Sequence, residues 1–381
     1  MTSIADAPEN PLPVGRSRSR RGRGGVIGWL RANLFSSIPS TVISLLLIFL
    51  LAKACVSLLQ WGFWNAIWSV PDNQTGACRA IRGLGACWAV IPEKFRFILF
   101  GTYPFDQQWR PAVATLTFAA LFFVSSRRNW WRKELVLVWG AALVAIGLLM
   151  WGGVFGLPFV SQDRWGGLPV TLMLATFGLA VGFPLGIVVA LGRRSKLPAI
   201  RSLCVLYVEL IRGVPLISLL FMASVMFPLF MPDGVNIDKL LRAQIAFVLF
   251  AGAYLAEVVR GGLQAIPRQQ DEAAQALGFN YWQRMGFVIL PQALRISIPP
   301  LVNTVIGFFK DTSLVVIIGL FDFLTAIKIS LTEPTWSGFG VEAYLFAALG
   351  YFFFCFPMSL YSQALERRGA RDTGVKTLRE N

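Results

Sequence analysis

The sequence predicts an all-α membrane protein with about eight transmembrane helices. Of 381 residues, 55% are hydrophobic and only 14% charged, whereas an ordinary soluble domain is roughly a quarter charged. Mean hydropathy is +0.61. Several stretches run about 20 residues with few or no charges, the length a helix needs to cross a hydrocarbon core of roughly 30 Å. The formal charge of +15 would suit nucleic-acid binding, but a soluble basic protein would not carry 31 Phe and 13 Trp in long apolar runs; lipid, not nucleic acid, is the expected partner.

From the N-terminus, residues 1–33 hold Pro8, Pro11 and Pro13 and then Arg16, Arg18, Arg20, Arg21 and Arg23. Such a composition cannot bury a core and reads as a disordered basic tail. The run Ile38 to Leu59 is longer than a signal-peptide core and lacks a convincing cleavage site, so it is the first span. Gln60 to Arg110 is Trp-rich, too polar to remain in lipid, and is expected outside the cytosol. Further apolar runs cover Pro111–Val124, Leu135–Met150, Leu168–Leu191, Leu203–Met231, Ala243–Val259, Ile296–Leu320 and Ala343–Leu360.

Orientation follows from Lys and Arg, which accumulate in short cytosolic loops. With the N-terminus inside, the cytosolic set is the tail with Arg31, then Arg127, Arg128, Arg132 and Lys133, then Arg193, Arg194, Lys196 and Arg201. Arg260, Arg268, Arg284 and Arg295 follow, and Arg367, Arg368, Arg371, Lys376 and Arg379 close the chain. Both termini are therefore expected to be cytoplasmic.

Composition also excludes classes of chemistry. The absence of His removes the usual general base and the commonest metal ligand. Cys55, Cys78, Cys87, Cys204 and Cys355 form no CxxC pair, so no zinc or redox motif is indicated. No GxxxxGK[ST] cradle occurs, so any ATP is hydrolysed on another chain. In this topology Cys78 and Cys87 lie on the oxidising side, where a disulfide closing their loop is open to them; the other three cysteines lie in or beside apolar spans as packing residues.

The most informative text lies between Ala243 and Ile296. It runs Glu257-Val-Val-Arg-Gly261-Gly262-Leu-Gln-Ala-Ile266-Pro267, then Asp271-Glu272-Ala273-Ala274-Gln-Ala-Leu277-Gly278, then Val288-Ile-Leu290-Pro291. Gln269 to Leu277 is a good helix former, Pro267 suits a first turn, and Gly278 can supply a left-handed stop. A short stiff helix results, with small Ala273 and Ala274 on its surface and Pro291 at re-entry into the membrane. This text resembles the EAA loop of binding-protein-dependent ABC importers, with Val288 where the usual residue is Ile. Tyr207-Val-Glu-Leu-Ile-Arg-Gly-Val-Pro215 and Pro299 through Leu314 are similar to the polar amino acid (HisMQ-like) branch of that family.

The resemblance covers about Leu168 to Arg368 and implies a five-helix type I (MetI-like) importer core, an ABC transmembrane type-1 permease domain at 168–368. Residues 34–167 then form an extension with three spans and a periplasmic loop, as in the M-type membrane subunit of general L-amino-acid permeases, and 369–381 a cytosolic tail. The implied partners are an ATP-binding subunit dimer that carries ATP and Mg, a homologous permease subunit, a periplasmic amino-acid-binding protein and an L-amino acid, in the bacterial inner membrane. This chain itself would hold no cofactor and catalyse no covalent reaction.

Ionisable groups at membrane depth line pathways or pair with one another. Glu209 with Arg212, and Glu257 with Arg260, are three apart and can meet on one helix face, with a bend expected after them at Gly213 and Pro215. Lys310, Asp311, Thr312 and Ser313 interrupt an apolar run and predict a broken helix. Asp311 or Thr312 would cap the second half, whose N–H groups suit a carboxylate, while Asp311 could pair with an amino group. Thr304, Gly307, Phe308 and Asp311 share a face by spacing, which makes Asn303 and Thr304 candidates for reading a side chain. A secondary transporter would use such carboxylates for ion coupling without a docking helix, and a membrane assembly protein would need neither feature.

Overall fold

The computed structural model describes residues 26–71, 75–127, 130, 134–232, 234 and 237–372. The basic cluster from Arg16 to Arg23, the positions Arg128, Arg132 and Lys133, and the chain from 373 onward lie outside the described residues. The chain divides into two compact units, Met1–Ala66 with Gly83–Ala86, and Ile67–Arg82 with Cys87–Asn381.

In the first unit, the end of the expected disordered tail is instead a short helix, α1 (Val26–Asn33). Its text, VIGWLRAN, is apolar and carries no proline, unlike the residues before it. The first span is α2 (Ile38–Leu59), extended by a π turn at Gln60–Trp64. Ser37 caps it by accepting from the Ser40 amide at 3.3 Å, and Pro39 sits where a helix needs no donor. Nearly all its apolar side chains are exposed, Leu51 by 68%, as a lipid-facing helix requires. Ala86 N–H donates to the Trp61 carbonyl at 2.8 Å, and Asn65 to that of Leu84 at 3.1 Å.

The second unit opens with α3 (Gly76–Ala80) and α4 (Val90–Phe100). Cys78 and Cys87 are joined by a disulfide, their Cα atoms 5.5 Å apart. The Trp-rich connection is packed rather than loose: Cys78, Cys87 and Val90 cluster with Trp336 and Phe339 from far along the chain. Polar ties reinforce this, with Cys87 N–H donating to Glu342 at 3.0 Å, Arg79 to the Pro334 carbonyl at 3.0 Å and Lys94 paired with Glu333 at 2.7 Å.

The next spans are α5 (Trp109–Ser126) and α6 (Glu134–Trp151), packed on each other, with α5 also against α7 (Gly167–Gly192). The central pair is α7 and α11 (Lys239–Gln264). Gly178, Gly182 and Gly186 form one stripe of α7, and a Cβ added at Gly182 would stand 2.6 Å from the Ala251 Cβ. Small residues thus let these backbones approach closely, the usual device of helices in lipid.

Between them, α8 (Pro198–Gly213) is followed by α9 (Leu216–Phe221), a π turn at Met222–Met226 and α10 (Phe227–Leu229). The two halves bend by 103° where Val214 and Pro215 stand extended, because the residue before proline is pushed from the helical region. The bend expected after Gly213 is therefore present, and Leu203–Met231 is one bent pair.

After α12 (Arg268–Ala276) the chain continues through α13 (Tyr281–Gln283), a π segment Arg284–Ile289 and α14 (Leu290–Asp311). A 3-10 segment Thr312–Ile318 leads to β1 (Phe321–Asp322), α15 (Phe323–Ser330) and α16 (Gly340–Asp372). β1 bridges to Gly166 and Gly167 in parallel. Among the described residues, seven helices are long and apolar enough to cross a membrane, or eight if the bent pair is one span.

Candidate functional site

The segment α12 has the caps its sequence needs. Gly278 sits at φ +79°. Its N–H donates to the Gln275 carbonyl at 2.9 Å and that of Phe279 to Ala274 at 3.2 Å, the paired bonds of a Schellman stop. Pro267 is the N-cap in extended conformation, one position before the first turn where the sequence placed it. Glu272 and Ala273 are exposed, as is Leu277 by 76%. Ala274 is not on the surface as expected: it is 3% exposed, because α12 lies with that face against the π segment after it.

Two further residues of the EAA text serve this chain's own packing. Gly262 is buried, and a Cβ there would meet Ser297 Oγ at 2.1 Å, so the glycine lets α11 close on α14; Gly261 faces open space. Ile266 is half-buried. The helical path into α14 begins at Tyr281, ten residues ahead of Pro291, behind a capping box: Asn280 Oδ1 accepts from the Gln283 amide and Gln283 Oε1 from the Asn280 amide, both at 2.9 Å. Leu290 and Pro291 open α14 directly after the π segment, where the backbone already departs from the regular ladder and a missing donor is tolerated.

Beside this end of α11 lies a charged cluster. Glu257 receives Arg260, Arg193 at 2.8 Å and Arg212 at 3.7 Å. The expected Glu257–Arg260 pair is present. Glu209 instead takes Arg193 at 3.2 Å, and Arg212 reaches Glu257 and lies 5.4 Å over the Tyr254 ring. The three-residue spacing did not pair Glu209 with Arg212, because residues on three helix ends converge here and Arg193, at the end of α7, supplies the bridge. Arg193 was legible only as a loop charge.

The expected break at Lys310 takes another form. The helix tightens from α to 3-10 at Thr312 with Asp311 and Thr312 still in the right-handed region. Neither side chain caps the second segment, and Thr312 Oγ1 donates back to the Phe309 carbonyl at 2.8 Å. A 3-10 turn satisfies its N–H groups three residues back, so no exposed set is left to take a carboxylate. Ser313 donates in the same way to Lys310 and Thr304 to Pro300, both at 2.8 Å. Lys310 and Asn303 are exposed, Asp311 and Gly307 half-buried, and Phe308 is buried against the Phe250 and Tyr254 rings.

Comparison with known proteins finds relatives along nearly the whole chain. Residues 182–371 match the family described as "Binding-protein-dependent transport system inner membrane component". Over 94% of its length the chain is 46% identical to "Inner membrane amino-acid ABC transporter permease protein YhdY" of Escherichia coli K12, covering 95% of that protein. The chain belongs to this family. It is also 39% identical, over 91% of its length and 94% of the other, to "Glutamate/glutamine/aspartate/asparagine transport system permease protein BztC" of Rhodobacter capsulatus. A solved structure described as "an amino acid ABC transporter with histidines" is 32% identical, covers 53% of this chain and 92% of that one, and superposes with a TM-score of 0.48.

The permease is thus a multi-pass inner-membrane transport component whose ATPase and solute-binding protein are separate chains. One residue of its core escaped the sequence reading altogether. Asp322 is fully buried and caps α15, accepting from the Leu324 and Thr325 amides at 3.0 Å each and from Tyr351 Oη at 3.3 Å. Burial pushes its carboxyl above the usual range, while the hydrogen bonds from Thr325, Leu324 and Tyr351 pull it back. Only the Asp-x-x-Thr spacing before an apolar run hinted at that cap.

Proposed function

We propose that this permease is the membrane subunit of an ATP-driven importer of L-amino acids, oriented with both termini in the cytoplasm and α12 as the helix its ATPase grips. In this reading it pairs with a homologous permease, as the M-type subunit of a general L-amino-acid permease would, and residues 168–368 form the transport domain behind an N-terminal extension. The observation that carries the proposal is the exposed row Glu272, Ala273 and Leu277 on a short helix stopped at Gly278. An exposed Leu at a helix end is what a partner's groove would cover. Lys and Arg in the short loops support the orientation. The names of the two long relatives, an amino-acid permease and a glutamate/glutamine/aspartate/asparagine permease, support the amino-acid class. Asp311, half-buried beside exposed Lys310 at the helix tightening, is the group we assign to the substrate's amino nitrogen, with Asn303, Thr304, Thr312 and Ser313 nearby in sequence on the same path.

The test is disulfide crosslinking in inverted membrane vesicles between a cysteine at Ala273 and reporter cysteines along the ATPase docking groove. Ala273 is the position chosen because its side chain is exposed, whereas that of Ala274 is buried. Crosslinks whose yield changes with nucleotide support the docking assignment. Labelling of that cysteine from the inside of the vesicle, with no crosslink under any nucleotide condition, overturns both docking and orientation.

A further inference from the structure

Beside the charged cluster lies an open cleft of about 400 Å³ lined by Arg193, Arg194, Arg201, Arg260, Arg268 and Gln264, with Val205, Leu263 and Ile266 as its apolar wall. These residues come from the end of α7, from α8, from α11 and from the first position of α12. Among the described residues, no carboxylate lines it. Glu209 and Glu257 are already engaged by Arg193, Arg212 and Arg260, and Asp271, three residues after Arg268, by Arg284 at 3.6 Å. Among the described residues, Arg194 reaches only the Leu263 carbonyl, at 3.4 Å. Arg201 and Arg268 are exposed and have no ion pair among the described residues.

Arginine does not deprotonate at any ordinary pH, so the charge excess around this concavity cannot be relieved by titration. Loop arginines at a membrane surface usually spread into water one by one; here five converge on one hollow. The planar guanidinium fork fits phosphate oxygens two at a time, and basic pockets between transmembrane helices are suited to lipid headgroups. The volume exceeds that of a bare oxyanion and falls in the range of small-ligand sites. Arg193 and Arg260 already face Glu209 and Glu257, which leaves Arg194, Arg201 and Arg268 without an acidic partner among the described residues, more charge than a single carboxylate would answer.

We propose that this cleft binds a phosphate-class anion, either an anionic lipid headgroup or a soluble phosphate compound. Because Arg201 stands on α8 and Arg268 on α12, a bound phosphate ties the two helices together. The site depends neither on which solute is carried nor on an ATPase being docked, so it can fail without the importer reading failing.

The experiment uses the full chain, purified in detergent and stripped of lipid, with Arg201→Gln, Arg268→Gln and the double variant alongside. Native mass spectrometry reads retention of phosphatidylglycerol against phosphatidylcholine; calorimetry reads binding of pyrophosphate against matched chloride. Removing a charged hydrogen-bonding group from such a contact is expected to weaken it by at least about tenfold. Preferential phosphatidylglycerol retention lost in each single variant supports the site with a headgroup as occupant, and pyrophosphate binding lost in the same way supports it with a soluble phosphate. The single variants lie on different helices, so a loss common to both with unchanged helicity is not a folding artefact. The proposal is overturned when neither probe binds better than its control, or when the variants bind as well as the wild type.

Discussion

Single side chains decide the charged end of this permease. Glu257 is the acceptor for three arginines, and its side chain retains 24% exposure, so water still screens part of the interaction. In E257Q the charge is lost while the shape is kept, leaving Arg193, Arg212 and Arg260 to repel each other. The expected loss is about 1.5–3 kcal/mol, read as a lowered thermal midpoint in detergent; an unchanged midpoint would mean the arginines find other partners. Asp322→Ala removes a helix cap and a buried acceptor at once, costing about 1–3 kcal/mol. Since burial raises the Asp322 pKa, the folded chain holds that proton more tightly than the unfolded one. Its contribution is therefore full at acid pH, below the ordinary carboxylate value, and declines as pH rises through the raised value. D322N should flatten that part of the stability profile.

At the scale of elements, the α7 glycine stripe sets how near α11 can come. Gly182→Leu would force a side chain into a gap that already excludes a Cβ. The two helices must part, at a cost of about 1–3 kcal/mol or more, and crosslinks between cysteines flanking the stripe should be lost first. The spans themselves were legible because twenty apolar residues in a row leave the backbone no option but helix. So was α12, whose glycine stop and exposed Glu272 are local chemistry. The bend at Pro215 was legible for the same reason, since the dipeptide itself forbids the helical turn. What could not be read was which side of a short helix faces home. Ala273 and Ala274 are identical as text, and only the return of the chain through the π segment buries one of them. Likewise the polar tetrad at 310–313 announced an irregularity, yet a gap and a tightened turn look alike in sequence.

At the scale of the molecule, the second unit is stitched by contacts between residues about 240–255 positions apart, as Cys87 with Glu342, Arg79 with Pro334 and Lys94 with Glu333. No period or motif marks such pairs, which is why the Trp-rich connection read only as an outer loop. The disulfide keeps this connection in one shape. Replacing Cys78 and Cys87 together with Ser should cost about 2–3 kcal/mol for closing so short a loop, measured as a fall in the thermal midpoint that reducing agent reproduces in the parent chain and not in the double variant. The Glu342 tie also has a kinematic side. An alternating-access cycle rocks packed helices against each other, but Glu342 lies in the first turn of α16 and is held by the Cys87 amide. Spin labels on the connection and on the start of α16 should therefore keep one fixed separation through the whole cycle, with the connection travelling as a handle on the last helix.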